Sequence, residues 1–325
     1  MQAILAVTVP FFALVLLGYL AAQRGILPES AIPGLNAYVL FFALPCLLFR
    51  FGASLPFKRL IDPSLIGLYV VCALLMIGVT IALTKRRVGL KDAAFGALVA
   101  AFPNAGFMGV PLLVALIGDS AAGPVIGAIL VDLILTSTLC IALAQSSEHR
   151  GGELSGFGAA LRSLRGALTN PLPWAIVIGA VFAALDRELP APLAQIVRML
   201  GDSATPVALF TIGSVLYRAG RHTHTRTPAA NYLPVALLKL VLHPALVYGL
   251  GLGAVALGAP VPRAGLVVLT LVAALPSASN VSALAEIYGA DNGRVTRIIM
   301  ASTVLAFASF SVLAWAFGVG GMPRG

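Results

Sequence analysis

The stretch AFPNAGFMGV, residues 101–110, interrupts what would otherwise be one continuous apolar helix. Pro103 lacks a backbone donor and clashes with the preceding turn, while asparagine favours helix caps over helix interiors. In lipid an unsatisfied backbone group costs several kcal/mol, so irregular backbone survives only where protein or a cavity surrounds it. The stretch therefore predicts a helix that is broken inside a membrane protein and faces a cavity.

The composition is that of a membrane protein. The 325 residues are 59% hydrophobic and only 10% charged, with a mean hydropathy of +0.99. Soluble domains are only about 45–50% apolar and about 25% charged. Apolar runs near the roughly 20 residues that cross a bilayer predict ten spans, at 2–22, 34–52, 64–84, 93–117, 122–144, 170–186, 192–217, 231–256, 263–288 and 296–318.

The links between these spans are too short for a further domain, the longest running from Gln145 to Thr169. Neither a P-loop nor an H-E-x-x-H motif occurs, which argues against an ATP-driven pump and a zinc protease. The three cysteines lie in apolar runs without metal-ligand spacing, so no metal site and no cofactor are predicted.

Charge in the links predicts the orientation. With the N-terminus outside, the inner links carry thirteen Lys and Arg, and the outer links with the C-terminal tail carry six. The positive-inside rule then places both termini outside. These membrane-surface anchors also account for the net charge of +9, so no nucleic-acid partner is needed and the lipid bilayer is the expected partner.

The ten spans divide into two sets of five, and an odd number predicts that the second set is inverted in the membrane. Pro45 in span 2 corresponds to Pro206 in span 7, and Pro103 in span 4 to Pro276 in span 9. The predicted repeats are residues 1–144 and 170–325. The linker 145–169 shows leucines at helical spacing, which indicates an amphipathic helix on the inner surface or a solvated link.

A second break, ALPSASNVSA at 274–283, occupies the position in span 9 that matches the break in span 4. After each break a half-helix starts, and each N-terminus carries roughly +0.5 charge. Two converging N-termini suit a small monocarboxylate, whereas a dianion would need another positive group or a co-transported cation. The alternative is a pair of proline kinks that only shape packing. The predicted substrate-binding residues are Pro103, Asn104, Ala105, Gly106, Pro276, Ser277, Ser279 and Asn280.

Ionisable residues inside apolar runs are functional candidates by default. Asp132 and Lys239 lie near mid-span on antiparallel helices, which predicts that they face each other. The pair could be structural, or Asp132 could exchange protons or sodium ions as substrate moves. Secondary candidates are the prolines of spans 2 and 7 together with His243, which precedes a proline, and Glu286, which lies near a helix end.

The chain resembles the auxin efflux carrier family in its bacterial branch, over almost its whole length. The segment FPNAGFMGVPLLVALIG at 102–118 is similar to the family's span-4 signature, and LPSASNVSALAEIYG at 275–289 to its span-9 segment. The resemblance implies an all-α membrane protein whose helices 4 and 9 are broken and cross at the midplane. It also implies a scaffold of helices 1, 2, 6 and 7 beside a moving transport domain made of helices 3, 4, 5, 8, 9 and 10.

Family members carry organic anions such as auxin or malonate, and their crossover asparagines carry over onto Asn104 and Asn280. Plant members have an acidic group in helix 3 that is absent from the apolar run of span 3 here, where Asp62 only precedes the run. This departure weighs against an auxin-like mechanism.

The sequence therefore predicts a secondary active transporter of a small organic carboxylate, a mono- or dicarboxylate, in a bacterial cytoplasmic membrane. Elevator-type alternating access is the expected mechanism. The alternatives are an organic-anion channel using the same site and, much less favoured because no catalytic arrangement shares one depth, an intramembrane enzyme. A coupled proton or sodium ion is compatible with the sequence, and so is a homodimer.

Overall fold

A computed structural model describes residues 2–54, 62–146, 169–221 and 227–319, with three isolated positions between 147 and 168. Every regular element in these ranges is helical. Counting short 3-10 and π turns within them, the helices are α1 Gln2–Gln23, α2 Glu29–Ser54, α3 Pro63–Ala101, α4 Ala105–Ile117, α5 Asp119–Ser146, α6 Pro171–Ala184, α7 Ala191–Arg221, α8 Ala229–Ala256, α9 Arg263–Ala273, α10 Val281–Ile287 and α11 Asn292–Ala316.

Seven helices in the described part are long and apolar enough to cross a membrane, namely α1, α2, α3, α5, α7, α8 and α11. Three shorter apolar helices, α4, α6 and α9, accompany them. The expectation of an all-helical, polytopic membrane protein is therefore confirmed. The number of ten spans and the inverted repeat stay predictions, and the linker helix predicted within 145–169 lies almost entirely outside the described residues.

Predicted spans 3 and 4 are joined without a loop. Helix α3 runs for 39 residues, and the only non-helical backbone within it is at Gly89, with φ of +80° and ψ of 166°. Residues other than glycine rarely adopt this conformation. The sequence pattern placed a link at this position, and the structure replaces it with a sharp bend at one glycine.

Several helix starts follow directly from local sequence. The carboxylate of Asp62 accepts hydrogen bonds from the backbone N–H groups of Ser64, at 2.9 Å, and Leu65, at 3.3 Å. Asn170 caps α6 in the same way, and Asp291 caps α11. Each cap satisfies backbone donors that the first helical turn leaves without partners.

Within the described ranges, four π turns widen the helices, at Val39–Ala43, Ala105–Gly109, Asp132–Thr136 and Leu238–Leu242. Three of them end two residues before a proline, which lacks an N–H group and crowds the carbonyl four residues earlier. The turn that begins at Asp132 has no such proline; instead the Ser137 hydroxyl donates to the Asp132 carbonyl at 2.9 Å. Such turns occur frequently at functional sites.

Two helix pairs pack with their backbones in direct contact, α1 with α7 and α2 with α6. Glycine permits this approach in both directions, because a Cβ at any of four positions would overlap the partner backbone. The four are Gly18 against the Phe210 carbonyl, Gly213 against the Val15 carbonyl, Gly52 against the Ile176 carbonyl and Gly179 against the Phe49 carbonyl.

These contacts predict the effect of adding one methyl group. Gly18→Ala should lower the free energy of unfolding by about 1–3 kcal/mol, because the helices must separate to admit the Cβ. Gly78→Ala is the matched control, since its Cβ would meet nothing within 4 Å. Thermal unfolding of both variants in detergent measures the difference. Equal melting temperatures for the two variants would contradict the close-packing interpretation.

Candidate functional site

The two interruptions of the helices meet and bond to each other. The Asn104 N–H donates to the Pro276 carbonyl at 2.8 Å, and the Ala278 N–H donates to the Phe102 carbonyl at 3.0 Å. These bonds form an isolated antiparallel bridge between the two segments. Each break therefore supplies partners for backbone groups that the other leaves unpaired, as an apolar environment demands.

Helix α11 contributes a third anchor to this junction. The Ser277 N–H donates to the Ser302 hydroxyl at 3.1 Å, and that hydroxyl donates to the Ile299 carbonyl at 3.0 Å. The hydroxyl of Ser277 itself is buried and has no hydrogen-bond partner. A buried unpaired hydroxyl beside a broken helix is a candidate ligand contact, because leaving it unsatisfied is unfavourable.

Asn104 and Asn280 each lie immediately before a half-helix, at the N-cap position that their residue type favours. Neither side chain makes the capping bond, although asparagine is a residue type that favours it at this position. The backbone carbonyl of Asn104 accepts hydrogen bonds from the backbone N–H groups of Met108, at 3.1 Å, and Gly109, at 3.0 Å. Both side-chain amides therefore remain available to a ligand.

The two half-helices differ in length. Helix α4 extends from Ala105 to Ile117, whereas α10 is only seven residues long. A helix of two turns has a weaker field than a longer one, because the charge at its terminus arises from aligned peptide dipoles. The expected pair of equal positive N-termini is therefore unequal.

The remaining predicted residues differ in how deeply they are buried. Ala105 and Ser279 are buried, and the Ala105 N–H donates to the Pro103 carbonyl at 2.7 Å. Gly106 is half-buried in the π turn at the start of α4. The secondary candidates lie elsewhere: Pro45 is half-buried in α2, while Pro206 in α7 and Glu286 near the end of α10 are exposed.

A buried polar cluster lies on the helices around the second break. Asp132 accepts the Tyr69 hydroxyl at 3.0 Å and the Thr136 hydroxyl at 3.1 Å, and all three side chains are inaccessible to solvent. Sequence inspection overlooked Tyr69, although its hydroxyl in the apolar run of span 3 is a signal, because buried tyrosines usually find a hydrogen-bond partner.

Lys239 continues this cluster on helix α8. Its ammonium group donates to the Ala273 carbonyl at 2.6 Å and lies 3.1 Å from Nδ1 of His243. Ala273 is the last residue of α9, so a cation is placed at a helix C-terminus, where the dipole stabilises it. The His243 ring lies 5.9 Å from the Tyr69 ring.

Asp132 and Lys239 do not form the direct ion pair that the sequence suggests. No oxygen of Asp132 lies within 4 Å of the Lys239 nitrogen. Asp132 bonds to Tyr69 and Lys239 contacts His243, and the rings of Tyr69 and His243 are 5.9 Å apart. The two charges are therefore members of one buried network rather than a contacting pair. The network ends at the carbonyl of Ala273, the last residue of α9, directly before the second break.

Paired helix breaks in a polytopic bundle, held by mutual backbone bonds and flanked by buried polar groups, define a membrane transport protein. Comparison with known proteins agrees. The model of the membrane transport protein family matches residues 3–155 and 159–315. The chain belongs to this family, which includes the auxin efflux carriers, as the resemblance predicted.

Three relatives illustrate the membership. A Rhizobium meliloti protein named "Putative malonate transporter" is 30% identical over 99% of this chain and 98% of its own length. A Methanothermobacter thermautotrophicus protein named "Uncharacterized transporter" is 28% identical over 91% of this chain and 92% of its own. The Arabidopsis thaliana auxin efflux carrier component 8 is 25% identical over 75% of this chain and 79% of its own.

The buried network predicts non-additive stability. Removing one charge leaves the other buried without compensation, which typically costs about 3–5 kcal/mol. We therefore expect Asp132→Asn with Lys239→Met to be more stable than at least one of the single variants. Thermal unfolding of the wild type, both single variants and the double variant tests this. Strictly additive losses across the four proteins would show that the two charges are not coupled.

Proposed function

We propose that this chain is a secondary active carrier of a small organic carboxylate, with its substrate site at the two helix breaks. The observation that carries the proposal is the junction itself. Two interrupted segments bond to each other, and two asparagine side chains flank them without a capping bond. Structural kinks alone would not require uncapped amides at both breaks.

The chemistry of the junction favours a carboxylate. Asn104 and Asn280 offer amide N–H donors, and the N-terminus of α4 offers a positive end, a combination that suits an anion. The name of the Rhizobium meliloti relative supports malonate as the first substrate to try. A dicarboxylate has a second charge to balance, and the buried Lys239 beside the second break or a co-transported cation could balance it.

Elevator-type alternating access is the proposed mechanism, with two inverted repeats of five spans. The glycine contacts support the division into a scaffold and a moving domain, because they join α1 to α7 and α2 to α6, all four assigned to the scaffold. Exchanging the two halves converts the first pair into the second, as an inverted repeat would. Predicted spans 3, 4, 5, 8, 9 and 10 then form the transport domain; in the structure these spans correspond to α3, α4, α5, α8, α9 with α10, and α11. The proposed location is a cytoplasmic membrane, with both termini outside.

Coupling to a proton or a sodium ion is proposed for the network around Asp132. Its connection through Lys239 to the Ala273 carbonyl reaches the end of α9, directly before the break. A change of charge in this network would therefore be felt at the substrate site. If Asp132 is the coupling residue, the double variant Asp132→Asn with Lys239→Met loses the pH or sodium dependence of uptake; if the network is structural, that dependence is retained.

Replacing either amide at the junction should weaken substrate binding. Each of Asn104→Ala and Asn280→Ala removes a hydrogen bond to a charged ligand, worth about 1.5–3 kcal/mol, so malonate affinity should fall roughly tenfold to a hundredfold. Asn36→Ala in α2 is the matched control. Binding by thermal shift and counterflow of labelled malonate in liposomes provide the two readouts.

The counterflow readout also separates a carrier from a channel. A carrier accelerates uptake of labelled substrate when the liposomes contain unlabelled substrate, whereas a channel gives no such exchange. Wild-type affinity in both asparagine variants would overturn the site assignment. Conduction without exchange would instead favour the organic-anion channel.

Motion between the proposed domains can be blocked with one cross-link. The hydroxyls of Thr8 in α1 and Ser311 in α11 lie 3.5 Å apart, across the proposed boundary between scaffold and transport domain. Oxidising Thr8→Cys with Ser311→Cys should stop uptake in liposomes, and reduction should restore it. The two single-cysteine variants are the controls. Full uptake by the oxidised pair would exclude relative movement of these helices.

A further inference from the structure

A groove is lined by residues of α3, α8 and α11, none of which belongs to the proposed substrate site. It has a volume of about 600 Å³ and is bounded by the end of the first half of α3, by one face of α8 and by Arg294 of α11. Its walls are mostly apolar, and Leu83, Leu237 and Val241 project from them with much of their surface exposed. The groove therefore opens toward the surface of the helix bundle.

Arg294 forms the polar part of the wall, although only 1% of the residue is exposed. Its Nε donates to the Asn231 carbonyl at 2.8 Å, and its Nη1 donates to the Asp92 carbonyl at 2.7 Å. Its Nη2 has no partner. The guanidinium fits against α3 because Gly96 has no side chain, since a Cβ there would come within 2.8 Å of Nη1.

Asp92 and Asp291 attract this arginine electrostatically, but neither carboxylate lies within 4 Å of the guanidinium. Asp92 accepts the Asp291 N–H at 2.8 Å, and Asp291 accepts the Arg294 N–H at 2.9 Å. Each carboxylate thus accepts a hydrogen bond from a backbone donor and none from the guanidinium. A buried guanidinium with one unpaired amino group is unfavourable unless an anionic acceptor reaches it.

A second arginine lines the same end of the groove. Arg87 belongs to a basic run with Lys85 and Arg86, just before the bend at Gly89. All three basic side chains are exposed. Positive charge is therefore concentrated at one end of an otherwise apolar groove. Basic pockets between membrane helices are suited to anionic lipid headgroups.

We propose that this groove binds an anionic phospholipid, with its phosphate between Arg87 and Arg294 and an acyl chain along α8. The dimensions fit this occupant. The α8 residues that line the groove extend from Ala230 to Ala245, about 22 Å at 1.5 Å per residue. One leaflet contributes half of a hydrocarbon core of roughly 30 Å, so the groove is long enough for an acyl chain that enters from one membrane surface.

A site of this kind would link the lipid to the proposed transport domain, because α3, α8 and α11 all belong to that domain. The positive-inside prediction places the basic end at the cytoplasmic surface. The phosphate would supply the acceptor that Nη2 of Arg294 lacks, and the acyl chain would cover the exposed leucine and valine side chains. Lipid binding here does not depend on the identity of the transported anion.

Native mass spectrometry of the purified full chain tests the proposal, with added phosphatidylglycerol, phosphatidylcholine or inorganic phosphate. We expect retained adducts with phosphatidylglycerol only. Arg87→Gln should weaken this binding roughly tenfold, as expected for loss of a charge-assisted hydrogen bond. Arg86→Gln is the matched control, since Arg86 neighbours Arg87 but does not line the groove.

A second variant tests the apolar part of the site without touching the arginines. Val241 lines the groove and is 62% exposed, so Val241→Trp should fill the groove while leaving the core intact. It should reduce phosphatidylglycerol adducts as Arg87→Gln does. Wild-type adducts in both variants, equal retention of phosphatidylcholine, binding of inorganic phosphate alone, or displacement of the lipid by malonate would each overturn the proposal.

Discussion

The structure depends on one constraint, that no backbone polar group can remain unpaired in an apolar environment. The helical structure is interrupted twice, at Pro103 and at Pro276, and each interruption leaves backbone donors and acceptors without partners in their own helix. The two antiparallel bonds between the segments satisfy those groups reciprocally. Neither break is stable without the other, so the first and second halves of the chain must fold together at this point.

The same constraint bears on the proposed binding site at the junction. Backbone groups of the two breaks pair with each other, and the amides of Asn104 and Asn280 make no capping bond. The hydroxyl of Ser277 is also left without a partner. The polar groups that remain are side chains, and side chains can turn toward a ligand without unravelling the helices.

Backbone-to-backbone contacts at glycine characterise one set of helices, although polar bonds such as that from Ser214 to the Gly18 carbonyl also join them. The pairs α1 with α7 and α2 with α6 approach through glycine, with backbone against backbone. The helices around the breaks are instead joined by buried polar contacts, such as the bond from Lys239 to the Ala273 carbonyl. Close apolar packing is well suited to a rigid frame, whereas polar contacts can be exchanged for others or for a ligand. The backbone contacts at glycine are consistent with the proposed division into a scaffold and a transport domain.

The sequence by itself determined the membrane class, the approximate spans and the positions of both breaks, because hydropathy and proline chemistry are local properties. It also identified Asp132 and Lys239 as buried charges that needed an explanation. Only the tertiary structure decided that the breaks bond to each other, that the asparagines do not cap, and that Asp132 bonds to Tyr69 while Lys239 contacts His243. It also turned an expected link into a bend at Gly89. These features join residues far apart in the chain or depend on the space left by neighbouring helices. Packing, rather than local propensity, decides which hydrogen-bond partner a residue finds at such a distance along the chain.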